Sequence, residues 1–146
     1  MDRWGAVLIT VVAGGLVAMQ APINSMLGRS VGTYAAASLS FAIGLAVLIA
    51  ITLVAGGFGD IGSAGDLKWY YLMGGVLGAV YVTTVLVSVR TLGAGGVTAA
   101  TIAGQLTMSV VIDRTGLLGL DERALTPQRI VGIVLLAAGT FLIVRE

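Results

Sequence analysis

Long runs of apolar residues, separated by short polar or glycine-rich stretches, dominate the chain. A helix needs roughly 20 mostly apolar residues to cross the hydrocarbon core of a membrane, which is about 30 Å thick. The pattern predicts five such helices, over residues 4–27, 34–56, 69–89, 95–113 and 128–144. We therefore predict an all-α integral membrane protein in which residues 1–146 form a single five-span transmembrane domain.

Capping and aromatic residues mark the ends of the predicted helices. Thr126 followed by Pro127 is typical of a helix start, so the last helix is predicted to begin there. The glycine-rich and polar stretches 56–68 and 115–128 are predicted to be linkers. Aromatic residues at span ends are typical of the membrane interface, and we assign this role to Trp4, Trp69, Tyr70 and Tyr71.

Polar side chains inside the predicted spans fall on shared helix faces. Gln20 and Asn24 are four residues apart and therefore neighbours on the first helix. Ser40 and Tyr81 lie on the small-residue faces of the second and third helices. The fourth helix carries a polar stripe made of Thr98, Thr101, Gln105, Ser109 and Asp113. Because lipid cannot satisfy these groups, we predict that the polar faces look at one another or at a cavity.

A purely structural role is the alternative for three of these residues, Gln20, Gln105 and Tyr81. Gln20 and Gln105 can act as interhelical hydrogen-bonding groups instead of lining a path. Tyr81 can fill core volume instead of contacting a substrate. Pro22 favours the path, because a proline removes a backbone donor and frees a carbonyl, here that of Ala18, which membranes tolerate only beside protein or a cavity.

Asp113 interrupts an apolar run and is the one acidic candidate for coupling transport to a proton or cation. Neighbouring residues on a helix do not face each other, so Arg114 is not its partner, and Arg29 or Arg90 is the predicted alternative. A charge at the edge of a span is, however, more often an interfacial anchor, and the position of Asp113 favours that alternative.

Four glycines are predicted to pack helices together. Gly74 and Gly78 form a GxxxG pair in the third span, and small residues at this spacing let helix backbones approach closely. Gly132 and Gly139 are seven residues apart on one side of the last helix. That helix is therefore predicted to pack at the periphery of the bundle or at a dimer contact.

Composition excludes most enzyme classes and several partners. Hydrophobic residues make up 58% of the chain and charged residues 10%, with no histidine and no cysteine. Imidazole and thiolate chemistry are therefore excluded, and we predict no catalytic residues, no metal site, no cofactor and no enzymatic activity. The net charge of +1 lacks any basic cluster, which argues against nucleic acid as a partner.

Basic residues are divided almost evenly between the two sides of a five-span path. Five would lie on the side of the N-terminus and three on the other side: Arg3, Lys68, Arg114, Arg123 and Arg129 against Arg29, Arg90 and Arg145. So small a bias is compatible with insertion in both orientations. Two copies in opposite orientation would form the inverted pair that many transporters use.

Three segments resemble a known family. They are "QAPINSMLGRSVG" in the first helix, "AGQLTMSVVIDRTGLLGL" around the fourth and "LTPQRIVGIVLLAAGTFLIV" at the last. Together they resemble the five-helix bacterial inner-membrane proteins of the YdcZ type, a branch of the drug/metabolite transporter (DMT) superfamily. The resemblance covers nearly the whole chain, and it implies a transport function and a pocket or signature role for Gln20, Asn24, Gln105 and Asp113. Small multidrug exporters of this superfamily use a first-helix glutamate, whereas this chain has no acidic residue between Asp2 and Asp60.

The prediction is therefore a DMT-type secondary transporter that moves an unidentified small molecule across the bacterial inner (cytoplasmic) membrane by alternating access. It would work among membrane lipids as an antiparallel homodimer, or as a heterodimer with a paralogue. The predicted path residues are Gln20, Asn24, Ser40, Tyr81, Thr101, Gln105 and Ser109, with Asp113 as the coupling candidate. Two alternatives stay open: a non-transporting structural or regulatory subunit of a hetero-oligomeric complex, and a lipid or amphiphile flippase.

Overall fold

The computed structural model describes residues 2–57, 59, 62, 68–117, 120, 122 and 124–145. These residues form four long helices, and a short 3-10 helix, Trp69–Leu72, directly precedes the third. The long helices are α1 (Arg3–Val31), α2 (Thr33–Ala55), α3 (Met73–Thr115) and α4 (Pro127–Val144). The four helical segments are long and apolar enough to cross a membrane, which confirms an all-α membrane protein. The predicted linker 56–68 lies largely outside the described residues, and so do residues 118, 119, 121 and 123 of the predicted linker 115–128.

The chain forms two compact units, the N-terminal unit Met1–Arg90 and the C-terminal unit Thr91–Glu146. In the N-terminal unit, the Asp2 carboxylate caps α1 by accepting a hydrogen bond of 3.1 Å from the Gly5 N–H. Gly32, with φ of 91°, is the single residue between α1 and α2. This positive φ is accessible to glycine at no steric cost, so the chain turns within one residue and α1 packs against α2.

Helix α1 is longer than predicted and is not interrupted by its proline. It ends at Val31 instead of residue 27, because the polar residues Arg29 and Ser30 continue the helix and Gly32 is the first residue that ends it. It also runs through Pro22, which removes one backbone donor without breaking the helix.

The core of the N-terminal unit is small and built mainly from small side chains. Ala21, Ala36 and Ala37 are buried together with the larger Val82 and Leu86. Leu86 is completely buried. Small residues allow close approach of helix backbones, so dispersion contacts here replace the large hydrophobic core of a water-soluble domain.

Helix α3 has one break. Gly93 has φ of 68° and ψ of 171°, outside the helical region, so residues 73–92 and 94–115 are two helical stretches joined at this glycine. The hydrophobic pattern predicts two spans, 69–89 and 95–113, with several residues between them. The helix uses these residues because none of them before Gly93 is a strong helix breaker.

In the C-terminal unit, α4 begins as predicted. The Thr126 side chain accepts a hydrogen bond from the Arg129 N–H, and Pro127 occupies the first turn. Near the other end of α4, the Thr140 hydroxyl donates to the Ala99 carbonyl at 3.2 Å. This hydrogen bond joins α4 to residues 94–115 of α3.

Most apolar side chains of the helices are exposed. In the most hydrophobic window of each candidate span, at most 11% of the residues are buried, and for α4 the share is 0%. Water would strongly disfavour so much exposed apolar surface, whereas lipid is as apolar as these side chains. The surface is therefore that of a protein dissolved in a bilayer.

Candidate functional site

The N-terminal unit contains a small cavity between α1 and residues 73–92 of α3, which we name the amide cavity. Its volume is about 10 Å³, enough for about one water molecule. The lining residues are Val17, Gln20, Ala21, Asn24, Tyr81, Val82, Val85 and Leu86. Three of the predicted path residues, Gln20, Asn24 and Tyr81, thus border one space.

A wider, open groove runs along the other side of the same two amides. This α1/α2 groove has a volume of about 520 Å³, and its polar lining consists of Gln20, Asn24 and Ser40. The remaining lining is apolar: Leu16, Val17, Met19, Ile23, Leu27 and Ile43. Gln20 and Asn24 therefore stand between a small cavity and a groove large enough for a small-molecule ligand.

Asn24 is the most enclosed polar residue of this site. Its exposed fraction is 5%, whereas Gln20 is exposed and Ser40 and Tyr81 are half-buried. Among the described residues, no hydrogen bond to the Asn24 side chain is found, and its amide borders both spaces. An amide has two donors and two acceptor lone pairs, so Asn24 keeps unused hydrogen-bonding capacity at the free space.

Next to the cavity, Ser25, Gly28 and Arg90 fix α1 against α3. The Arg90 Nε donates to the Ser25 hydroxyl at 3.4 Å. A Cβ added at Gly28 would lie 2.9 Å from Arg90 Nη2 and 3.0 Å from Leu86 Cδ2. A side chain at Gly28 would therefore require the Leu86 and Arg90 side chains to shift.

The C-terminal unit contains a second space, which we name the ion-pair cleft. It lies between α3 and α4 and has a volume of about 390 Å³. Residues at positions i, i+3, i+4 and i+7 of each helix line it: Leu106, Ser109, Val110 and Asp113 from α3, and Arg129, Gly132, Ile133 and Leu136 from α4. The cleft is therefore mostly apolar, with its charges at one end.

Asp113 pairs with Arg129. The Arg129 Nη1 lies 2.9 Å from Asp113 Oδ2, and the two side chains are 35% and 30% exposed. The predicted partners Arg29 and Arg90 were wrong, because α4 returns beside the end of α3 and brings Arg129 to the carboxylate. In this structure the coupling candidate is already neutralised by a cation of its own chain.

Of the other predicted path residues, Thr101 and Gln105 line none of these three spaces, and Ser109 lines only the ion-pair cleft. Ser109 borders the ion-pair cleft, but its hydroxyl donates to the Leu106 carbonyl of its own helix at 2.9 Å. Thr101 is half-buried and Gln105 is exposed. On an ideal helix these two lie beside the face of α3 that α4 covers, so the predicted stripe is split between a covered and an uncovered face.

The four predicted packing glycines have different surroundings. A Cβ added at Gly78 would contact the Phe41 ring at 3.5 Å, so this glycine faces α2. At Gly74, Gly132 and Gly139 an added Cβ would meet nothing within 4 Å among the described residues. Gly132 instead widens the ion-pair cleft.

Sequence reasoning missed Gly28, Ser25 and Arg129. Gly28 is four residues after Asn24, so the helical period places it on the same face, which is a signal that could have been used. No sequence signal of this kind predicts the pairing of Arg129 with Asp113, because the two residues lie on different helices and the helical period does not relate them.

The two units thus differ in chemistry. The polar groups that line the amide cavity and the α1/α2 groove are uncharged and can both donate and accept hydrogen bonds. The ion-pair cleft instead offers one carboxylate and one guanidinium beside an apolar slot. Neither arrangement places a nucleophile next to a general base.

Long apolar helices whose polar groups border internal spaces define a multi-pass membrane protein. The chain matches the family described as "Putative inner membrane exporter, YdcZ" over residues 5–142, and it belongs to this family. The match confirms the YdcZ-type resemblance and the inner-membrane localisation, and the description is that of an exporter instead of an enzyme. No match was found among curated proteins or among solved structures.

Proposed function

We propose that the protein is a secondary exporter of a small, uncharged or weakly polar molecule, and that Gln20, Asn24, Ser40 and Tyr81 line its path. The observation that supports this most is the environment of Asn24, which is 5% exposed and borders both the amide cavity and the α1/α2 groove. An amide without a partner in a membrane is costly, so a substrate or water molecule is the natural occupant of this space.

We propose that the chain crosses the membrane five times. Helix α3 has 43 residues, which gives a length of about 65 Å at 1.5 Å per residue, roughly twice the hydrocarbon thickness. The break at Gly93 allows residues 73–92 and 94–115 to cross separately. An odd number of crossings leaves the two termini on opposite sides of the membrane.

The working unit in this proposal is an antiparallel dimer that operates by alternating access. Gln20 and Gln105 belong to membrane helices and yet are exposed on the single chain, where lipid would leave their amides unsatisfied. A second copy in the opposite orientation would cover such surfaces and create two equivalent faces of one path. The near-even division of basic residues supports insertion in both orientations.

Asp113 remains the candidate for coupling, but its pairing adds a condition. Arg129 occupies the carboxylate in this structure, so a proton or substrate cation would have to replace Arg129 before Asp113 could carry it. Coupling would then appear as a change in the distance between these two side chains.

A ligand screen tests the proposal. Purified protein is screened for small molecules that raise the thermal unfolding midpoint, since a ligand at 100 times its Kd stabilises by about 2.7 kcal/mol. We expect an uncharged ligand whose effect is lost in Asn24→Ala and retained in Thr10→Ala, a matched change on the same helix at a hydroxyl bonded to the Ala6 carbonyl. The wild-type protein should also transport the same ligand across the membrane of proteoliposomes. A ligand that binds Asn24→Ala as tightly as the wild type would place the path elsewhere.

A further inference from the structure

We propose that the ion-pair cleft of the C-terminal unit is a binding site for a membrane phospholipid whose headgroup carries both a phosphate and a primary ammonium group. No residue lines both this cleft and the amide cavity, and the inference rests on the cleft alone. It is drawn from three features of the cleft: the position of its charges, the unused capacity of those charges, and the shape of its apolar part.

The charges lie where a lipid headgroup would lie. Asp113 is two residues from the end of α3 at Thr115, and Arg129 is two residues from the start of α4 at Pro127. The ends of membrane helices meet the headgroup region, so the ion pair is at the rim of the apolar layer. The cleft then continues inward along both helices.

The ion pair leaves hydrogen-bonding capacity unused. One guanidinium nitrogen contacts one carboxylate oxygen, at 2.9 Å, and both side chains are about one-third exposed. A guanidinium has five N–H donors and a carboxylate has two oxygens, so Arg129 can bind a phosphate while Asp113 accepts from an ammonium group. A headgroup with both charges complements the pair without leaving either residue uncompensated.

The rest of the cleft fits an acyl chain. From Asp113 to Leu106 and from Arg129 to Leu136 the lining extends seven residues, or about 10 Å, towards the middle of the membrane. Val110 and Ile133 are apolar, and Gly132 contributes no side chain, which leaves a slot open. A water-soluble zwitterion would leave this slot empty, whereas a lipid fills it.

Competition between lipids tests the charge complementarity. The full chain is purified in detergent, mixed with equal amounts of phosphatidylethanolamine, phosphatidylcholine and phosphatidylglycerol, and the bound lipid is measured by native mass spectrometry. We expect about tenfold preference for phosphatidylethanolamine, because it alone offers a hydrogen-bonding ammonium to Asp113 together with a phosphate for Arg129. Equal binding of the three lipids, or a preference for either of the others, would overturn the proposal.

Two variants test the assigned residues. Asp113→Asn should lose the preference for phosphatidylethanolamine over phosphatidylglycerol and still bind phospholipid through Arg129; an unchanged preference would refute the role of the carboxylate.

Gly132→Leu should fill the slot and reduce bound lipid about tenfold, whereas Gly139→Leu, the same change seven residues further along α4 and outside the cleft lining, should not. Equal lipid binding by both leucine variants would refute the slot. If a variant does not fold, the wild-type competition alone decides.

Discussion

Gly28 shows how one missing side chain can set the geometry of the candidate path. It is buried on α1, four residues from Asn24, and it faces Leu86 and Arg90 of α3. The close approach at Gly28 holds α3 against α1 beside the amide cavity.

Replacing Gly28 by alanine should destabilise the protein by about 1–2 kcal/mol, a typical cost of overpacking. The added methyl group would lie 3.0 Å from Leu86 Cδ2, and Leu86 is completely buried and has little room to move. Thermal unfolding of the purified protein measures the effect. Gly14→Ala on the same helix is the control, because its added methyl meets nothing within 4 Å and alanine favours helices. Equal stability of the two variants would show that the contact is not tight.

At the residue scale, the sequence predicted local neighbours better than distant ones. The pairing of Gln20 with Asn24 on one face follows from the helical period, and the structure places both at the same spaces. The Asp113–Arg129 pair joins two helices across a connection, and helical periodicity carries no information about which side chains meet there. The partner of Asp113 was therefore missed.

At the element scale, α3 depends on the backbone freedom of one glycine. Gly93 has φ of 68°, a left-handed value that an L-residue with a Cβ adopts only at a cost. The neighbouring Gly95 lies in the helical stretch 94–115 and does not have a positive φ. Two glycines two residues apart thus have different roles, and only the structure distinguishes them.

Gly93→Ala should lower stability by about 1–3 kcal/mol, or force the break in α3 to move, because φ of 68° with ψ of 171° is a conformation that essentially only glycine adopts. Gly95→Ala should be neutral or slightly stabilising, since alanine is the better helix former and its methyl group meets nothing within 4 Å. Comparing the unfolding midpoints of the two variants measures this. A Gly93→Ala protein as stable as Gly95→Ala would contradict a required break at residue 93.

The sequence predicted element types well and element ends less well. Hydrophobic runs of sufficient length indicated helices, and Thr126 with Pro127 marked the start of α4. Arg90, Thr91 and several glycines lie between or next to the ends of the two predicted spans, so composition alone could not show that a single residue, Gly93, suffices for the break. The predicted first span ends at residue 27, where the apolar run ends, but polar residues can continue a helix, and α1 extends to Val31.

Across the whole molecule, the membrane helices expose both apolar side chains and two amides, and these need different surroundings. The helices expose nearly all of their apolar side chains, which lipid satisfies, but Gln20 and Gln105 are exposed too. Lipid does not satisfy amides, and this is the physical support for a second copy. Whether chains insert in both orientations is decided by the distribution of basic residues near the helix ends.

We expect the wild-type chain to insert in both orientations, so that C-terminal reporters active on either side of the membrane both give signals. Ala124→Lys adds a positive charge to the exposed segment before α4 and should shift the population towards a cytoplasmic N-terminal side. Ala124→Gln is the uncharged control and should leave the ratio unchanged. One reporter signal alone in the wild type would rule out dual orientation.

If the space around Asn24 is a transport path, water must reach it. The reaction of a cysteine placed at position 24 measures this access directly. The chain has no native cysteine, so Asn24→Cys carries a single thiol, which reacts as a thiolate only where water reaches it. The account predicts labelling by a membrane-impermeant maleimide from either side of the membrane, whereas Leu48→Cys on the exposed apolar face of α2 stays unlabelled. If position 24 stays unlabelled whichever side the maleimide is added to, the proposed transport path around Asn24 is wrong.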